Sequence, residues 1–263
     1  YQMSLLAENR DLHDKVEFEI AITCRDLSFS GRRKELISAG FNENEIDKFG
    51  DQIGQLTAQA IKLGAPGLKV QLALTERVLN KNVGSSATLS DVTELMDNTI
   101  EYGTRPFSIL ARHAFIAIAL LKSMVARKLL KECDVEMIIG SVHTVASKLV
   151  EDLTSVAHGA LYKEKFLSIY GHLRPGTYDV LSQRYDENSD FYIGQLSGND
   201  QLVSPPVTFK LTDKQRKEIS IALADEGLND DVDWVMDYIT TAIYAREQAK
   251  FYFTKGVSDT LSA

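Results

Sequence analysis

Cysteine is scarce in this chain, and the two present, Cys24 and Cys133, lie far apart with no Cys or His companion at metal-ligand spacing. That pattern argues against a structural zinc site. It leaves each thiol as a small buried hydrophobe in a reducing compartment, or the two as a single bridge. Basic charge is also in deficit. A formal net charge of −8 argues against a general nucleic-acid binder, which needs a cationic face to displace counterions from phosphates; a local basic pocket is compatible with it. Long apolar runs are missing as well. The longest, Ala114 to Leu121, has eight residues between His113 and Lys122, against the ~20 that cross a bilayer. With no signal peptide in view, the expectation is a cytoplasmic protein without a membrane partner.

The familiar catalytic signatures are absent too. The sequence contains no GxxxxGK[ST] phosphate loop, no GxGxxG, no HExxH, no GxSxG and no Glu-x-x-His pair. Its five histidines are scattered, so no metal site is expected. A complete catalytic apparatus is not written in this chain.

What is present is helix. Hydrophobic residues make up 44% and charged residues 25%, an ordinary soluble composition. Apolar positions recur at helical spacing over His13–Phe29, Asn42–Leu63, Leu68–Asn80, Asp91–Tyr102, Arg105–Leu130, Asp134–Val156, Lys163–Tyr170, Thr212–Asp225 and from Asp230 to Lys255 or beyond, and a short helix is expected over Arg32–Ser38. Caps and stops support these limits: Asn42, Ser90 and Thr212 or Asp213 at starts, and Gly40, Gly103, Gly171 and Gly227 at ends. Period-two alternation is confined to weak candidates at Asp190–Leu196 and Val207–Leu211. The expected fold is all-α, a multi-helix bundle with a long Gly/Pro-containing loop region and little or no β. Residues 1–263 read as a single helical domain. A subdivision into a main bundle (1–170), a loop region (171–211) and a C-terminal helical pair (212–263) is possible. Arg105–Leu130 is the expected central helix, because Ala114–Leu121 leaves no polar face for water. His143 reads as an ordinary surface or edge histidine.

The helical pattern is interrupted most sharply at Tyr170-Gly-His-Leu-Arg-Pro-Gly-Thr-Tyr-Asp179, with Arg184-Tyr-Asp186 behind it. Gly and Pro fix this loop while His172, Arg174, Tyr178 and Arg184 load it with polar groups. Two readings stand side by side: a structural corner, in which turn chemistry explains the Gly and Pro, or a binding loop. Other cations lie in distant segments: Arg105, Arg112 and His113 at the start of the central helix, and Arg246 and Lys250 in the last. Brought together, guanidinium forks, imidazole and phenol hydroxyls would form a pocket for an anion or polar acceptor. His172 or His113 would then be the candidate general base. Each is equally readable as a hydrogen-bonded structural histidine, and Arg105 and Arg112 as partners of acids on a neighbouring helix.

Phe166-Leu-x-x-Tyr-Gly-His-Leu-Arg-Pro-Gly-Thr-Tyr-Asp179, followed by Arg184-Tyr-Asp186, resembles the helical middle region of phosphoenolpyruvate synthase-like proteins. These belong to the dikinase group that includes pyruvate phosphate dikinase and rifampicin phosphotransferase. Arg105-Pro-Phe-x-x-Leu-Ala-Arg-His-Ala-Phe-Ile-Ala117, Leu12-His-Asp-Lys-Val-Glu-Phe-Glu-Ile-Ala21 and Arg246-Glu-x-x-Lys-Phe251 look similar to the same subgroup. The resemblance implies an acceptor-side or linking helical domain cut from a longer polypeptide, expected to be inactive alone. Its partners would be an ATP-grasp domain, which holds ATP and Mg, and a swivelling phosphohistidine domain that delivers the phosphoryl group to a small-molecule acceptor. No cofactor is expected in this fragment. The catalytic candidates are His172 and His113. The substrate-binding candidates are Arg105, Arg112, Arg174, Tyr178, Arg184, Arg246 and Lys250. The alternative is a helical spacer or docking module with no ligand of its own.

Overall fold

A computed structural model describes residues 22–80, 88–177, 179, 181–197 and 209–263. Among these, ten α-helices account for most of the chain and there is no strand. The fold is an all-α multi-helix bundle. We number the helices α1 (Arg33–Ser38), α2 (Glu43–Thr75), α3 (Leu89–Asn98), α4 (Arg105–Ala126), α5 (Glu132–Gly140), α6 (Val145–Ala157), α7 (Lys163–Tyr170), α8 (Ser189–Ser197), α9 (Asp213–Asp225) and α10 (Val232–Ser262).

Most helix limits follow local chemistry. The Asn42 carboxamide accepts from the Glu45 amide at 3.0 Å while the Glu45 carboxylate accepts from the Asn42 amide at 2.9 Å, a reciprocal cap that opens α2. Thr212 and Gln215 do the same for α9. Gly40 and Gly227 follow α1 and α9 with φ of 99° and 69°, the left-handed backbone that ends helices at least cost in glycine.

Five expectations are corrected. Residues 22–28 form no helix, and the rest of His13–Phe29 lies outside the described residues, as does Leu12–Ala21. Asp134–Val156 is two helices: the Ser141 hydroxyl donates to the Ile138 carbonyl at 2.6 Å, and Thr144 caps α6. Side-chain hydroxyls there compete with the helical ladder. Thr88, not Ser90, caps α3 in a reciprocal box with Asp91. Gly103 does not stop a helix. It lies in a π-helical segment, Thr99–Thr104, that runs straight into α4, and a Cβ there would meet Phe253 at 3.4 Å. Close approach explains that glycine better than termination. Finally, Asp190–Leu196 is helical, within α8. Of the connection expected over Gly194–Val207, residues 198–207 lie outside the described residues.

The described residues divide into two compact units, each built from separated stretches. The first comprises 22–68, 111–142 and 209–243. It buries Ile61, Leu68, Leu120, Met124, Leu223 and Tyr238. At Gly64 (φ 61°) the helix α2 breaks, ahead of Pro66. A Cβ on Gly64 would lie 2.2 Å from the Trp234 ring, whose indole N–H donates to the Ile61 carbonyl at 2.7 Å. The glycine is required twice, by backbone conformation and by space. The segment from Ala114 to Leu121, expected at the centre, contributes Ala114, Ile116, Ala117, Leu120 and Leu121 to the buried set. By length and composition the continuous helix Leu89–Ala126 would pass for a membrane span, yet half of its most apolar window is buried in the protein.

The second unit comprises 69–80, 88–110, 143–177, 179, 181–197 and 244–263. Its core centres on Leu153, Phe166 and Tyr170, with Leu149, Leu173 and Phe251 packed against them.

Candidate functional site

The Gly/Pro loop of the second unit is a clamp on the end of α10. It begins at Tyr170, whose buried ring sits in the core and whose hydroxyl donates to Asp152 at 2.8 Å. At Gly171 a Cβ would meet the Leu167 carbonyl at 2.4 Å and Asp186 at 2.9 Å. The loop returns on itself there, with the Tyr185 amide donating to the Leu173 carbonyl at 2.8 Å and the Asp186 amide to the Gly171 carbonyl at 3.1 Å. Four polar contacts then fasten it to α10. The Ser258 hydroxyl donates to the His172 carbonyl at 2.8 Å. The buried Arg174 guanidinium donates to Ser258 at 3.2 Å and Ser262 at 3.0 Å. Arg184 forks between Asp186 at 2.8 Å and Asp259 at 2.9 Å.

Within this clamp the His172 imidazole is only 3% exposed and rests edge-on against Phe251, ring centres 4.7 Å apart. Burial, reinforced by the nearby Lys255 ammonium, pushes its pKa down to about 3, so the ring is neutral at physiological pH. Its Nε2 is buried without a hydrogen-bond partner among the described residues, as are Nε of Arg174 and Nε of Arg246. Buried polar atoms left without partners are uncommon and mark strain, a catalytic role or a missing guest.

Both α10 residues touched or steered by the clamp, Phe251 and Lys255, line a cavity of about 500 Å³. Asp259 makes the connection to Lys255: one carboxylate oxygen accepts from Arg184 and the other from the Lys255 ammonium at 2.6 Å. The remaining walls are His143, Thr144, Val145 and Lys148 at the start of α6, Ser168 and Ile169 near the end of α7, and Tyr244, Gln248 and Tyr252 on α10. The described lining residues include two lysines and a histidine but no carboxylate. His143 approaches Glu151, which is not among the lining residues, at 3.5 Å. Lys148 has no ion-pair partner among the described residues. Such a volume and such a mixture of aromatic faces with a few convergent polar groups are typical of small-molecule sites.

The sequence-predicted residues fall in several places. His172, Arg174 and Arg184 are brought together in the clamp. Tyr178 lies outside the described residues. Arg105 is exposed and ion-paired with Glu101 one turn earlier. Arg246 pairs with the adjacent Glu247, and Lys250 is exposed. Arg112 and His113 belong to the first unit, where Arg112 is exposed. His113 is half-buried with Nδ1 3.0 Å from the Tyr238 hydroxyl; burial, and then the neighbouring Arg112 charge, lower its pKa. The cavity's own residues, His143, Lys148, Tyr244, Gln248, Tyr252 and Lys255, were not singled out as site residues from sequence. One signal was legible. Tyr244, Gln248 and Tyr252 stand at steps of four on a single face of α10, a polar-aromatic stripe.

Among the described residues no group of three His, Cys, Asp or Glu side chains gathers as a metal site would require. Comparison of the chain with protein-family models, curated proteins and solved structures gives no match.

Proposed function

We propose that this chain is the acceptor-side helical domain of a phosphoenolpyruvate synthase-like, ATP-dependent phosphotransferase. In this reading the domain holds a small acceptor while a phosphohistidine on a separate swivelling domain, charged by an ATP-grasp domain with ATP and Mg, delivers the phosphoryl group. Its support is the sequence resemblance at Tyr170–Asp179 together with one structural observation: the acid-free cavity that gathers His143, Lys148 and Lys255. Phosphoryl transfer draws chiefly on positioning and on fixed positive charge around the equatorial oxygens. The carrier's phosphorus–nitrogen bond breaks as a phosphorus–oxygen bond to the acceptor forms. The acceptor's hydroxyl proton passes, in net, to the departing imidazole. His172, Arg174 and Arg184 act here as positioning residues, holding Phe251 and Lys255 against the cavity. The cell compartment in this reading is the cytoplasm.

One observation favours a second reading, a helical spacer without a ligand. The clamp's arginines are engaged with Ser258, Asp259 and Ser262, as they would be in a purely structural corner. Labelled ATP and the polypeptide that joins this chain to its ATP-grasp and phosphocarrier parts separate the two. Lys148→Ala is expected to form labelled phosphohistidine normally and to discharge it to a small-molecule extract at least tenfold more slowly. Normal discharge by Lys148→Ala and by Lys255→Ala would assign the spacer.

A further inference from the structure

We infer that the cavity of the second unit takes an aromatic anion, a planar ring bearing one carboxylate or phosphate-monoester group; this rests on reading that cavity as the acceptor pocket. The charge is set by what its walls combine. Lys148 and Lys255 contribute two ammonium groups, and among the described residues only Lys255 has an acid against it, Asp259 of its own helix at 2.6 Å. A lysine wall without lining carboxylates is a poor host for a cation, which it repels, and gives a neutral ligand no opposite charge to meet the ammonium groups. The start of α6 adds to the same field. Thr144 and Val145 line the cavity, and the first turn of that helix carries no acidic residue, so the partial positive charge of its amide end is not offset within that turn.

The ring is set by α10. Tyr244, Gln248 and Tyr252 follow one another at single helical turns along the cavity wall, and Phe251 stands beside them. Phe251 cannot swing freely, since His172 lies 4.7 Å and Tyr170 5.9 Å from its ring centre. A fixed aromatic wall beside a phenol–amide–phenol stripe suits a flat unsaturated ligand, which gains offset or edge contacts with each ring. A small aliphatic anion would find the charge but leave the aromatic wall uncovered. Gln248, between the two phenols, offers both a donor and an acceptor to a ring substituent.

Isothermal titration of the chain with four probes tests this: phenyl phosphate, benzoate, phenol and inorganic phosphate. At least one aromatic anion is expected to bind tenfold or more tightly than both phenol and inorganic phosphate, and the better of phenyl phosphate and benzoate identifies the head group. Lys148→Ala and Tyr244→Ala should each weaken that probe fivefold or more. Tyr244 is 38% exposed, so its truncation leaves the core intact. Lys165→Ala, an exposed lysine outside the cavity walls, should bind as the parent chain does. Phenol or phosphate binding as tightly as the aromatic anions, or binding indifferent to Lys148→Ala and Tyr244→Ala, overturns the inference. Aromatic-anion binding without any phosphoryl discharge in the joined polypeptide would keep the inference and remove the phosphotransferase reading. Discharge to a neutral acceptor, with no aromatic anion bound, would do the reverse.

Discussion

Both units pair largely buried charges with charges, but they differ in how completely their buried polar groups are partnered. In the first, charges that leave water meet charges. Glu226, with a side chain 4% exposed, accepts from Arg25 at 3.0 Å and from the Ser30 hydroxyl at 2.9 Å, and Asp26, 5% exposed, holds Arg32 at 2.8 Å. Its own cavity, about 430 Å³, is lined by Asp26 and Glu35 as well as Arg32 and Lys122, so the signs balance. In the second unit the lining charges are of one sign, and the three buried unpartnered side-chain atoms found among the described residues all belong to it. In the reading proposed above, a guest of opposite charge would offset the excess of positive charge along the second cavity.

The comparison can be broken most severely at Gly64. Gly64→Ala would force a side chain onto a φ of 61° and into the Trp234 ring, and should cost the first unit roughly 3 kcal/mol or more in thermal or urea unfolding. A loss under ~1 kcal/mol would mean that the Trp234 contact yields easily. Next in size, Arg25→Ala strands the Glu226 carboxylate with the Ser30 hydroxyl as its remaining hydrogen-bond donor. We expect about 2–3 kcal/mol, smaller than for a fully buried pair because Arg25 is itself partly exposed. Arg25→Ala in a Glu226→Gln background should cost distinctly less, and equal costs would deny the coupling.

The second unit should respond to acid instead. His172 has a folded pKa of about 3, below its unfolded value, so between those limits the unfolded chain binds the extra proton. Stability contributed by the neutral ring is therefore full above about pH 6.5 and lost as pH falls toward 3, by roughly 1 kcal/mol per pH unit. Urea midpoints of the parent chain and of His172→Gln across that range check it. Parallel curves would show that His172 is not the group responsible. The smallest stability effect belongs to Lys148→Ala, below about 0.5 kcal/mol because the side chain is exposed and has no ion-pair partner among the described residues. If that variant unfolds early, Lys148 is a structural residue and the contrast between the units weakens.

How far sequence reasoning reached depended on the range of the interaction. α1, α7 and α9 appear nearly where spacing and caps placed them, since Gly40, Thr212 and Gly227 act within one turn of themselves. The division at Ser141–Thr144 was missed because apolar periodicity runs through it unbroken, while the hydroxyls that interrupt the ladder are silent in a hydrophobicity count. Gly103 was misread for the complementary reason: its significance lies in Phe253, far along the chain. For the candidate site, the loop at Tyr170–Arg184 was visible as a concentration of Gly, Pro and polar residues. That its arginines turn toward Ser258, Asp259 and Ser262 was not visible.

Composition and pattern alone settled that the described residues are mostly helical, where several of the helices begin or end, and which stretch breaks the rule. Those are short-range matters of spacing, capping and backbone freedom. Only the tertiary structure decided that the loop grips the last helix, that Arg112 and His113 belong to one unit and His172 to the other, and that Lys148 and Lys255 share a cavity with a ladder of phenols. Residues about a hundred positions apart meet through the packing of whole helices, and no local preference in the chain encodes which faces will meet.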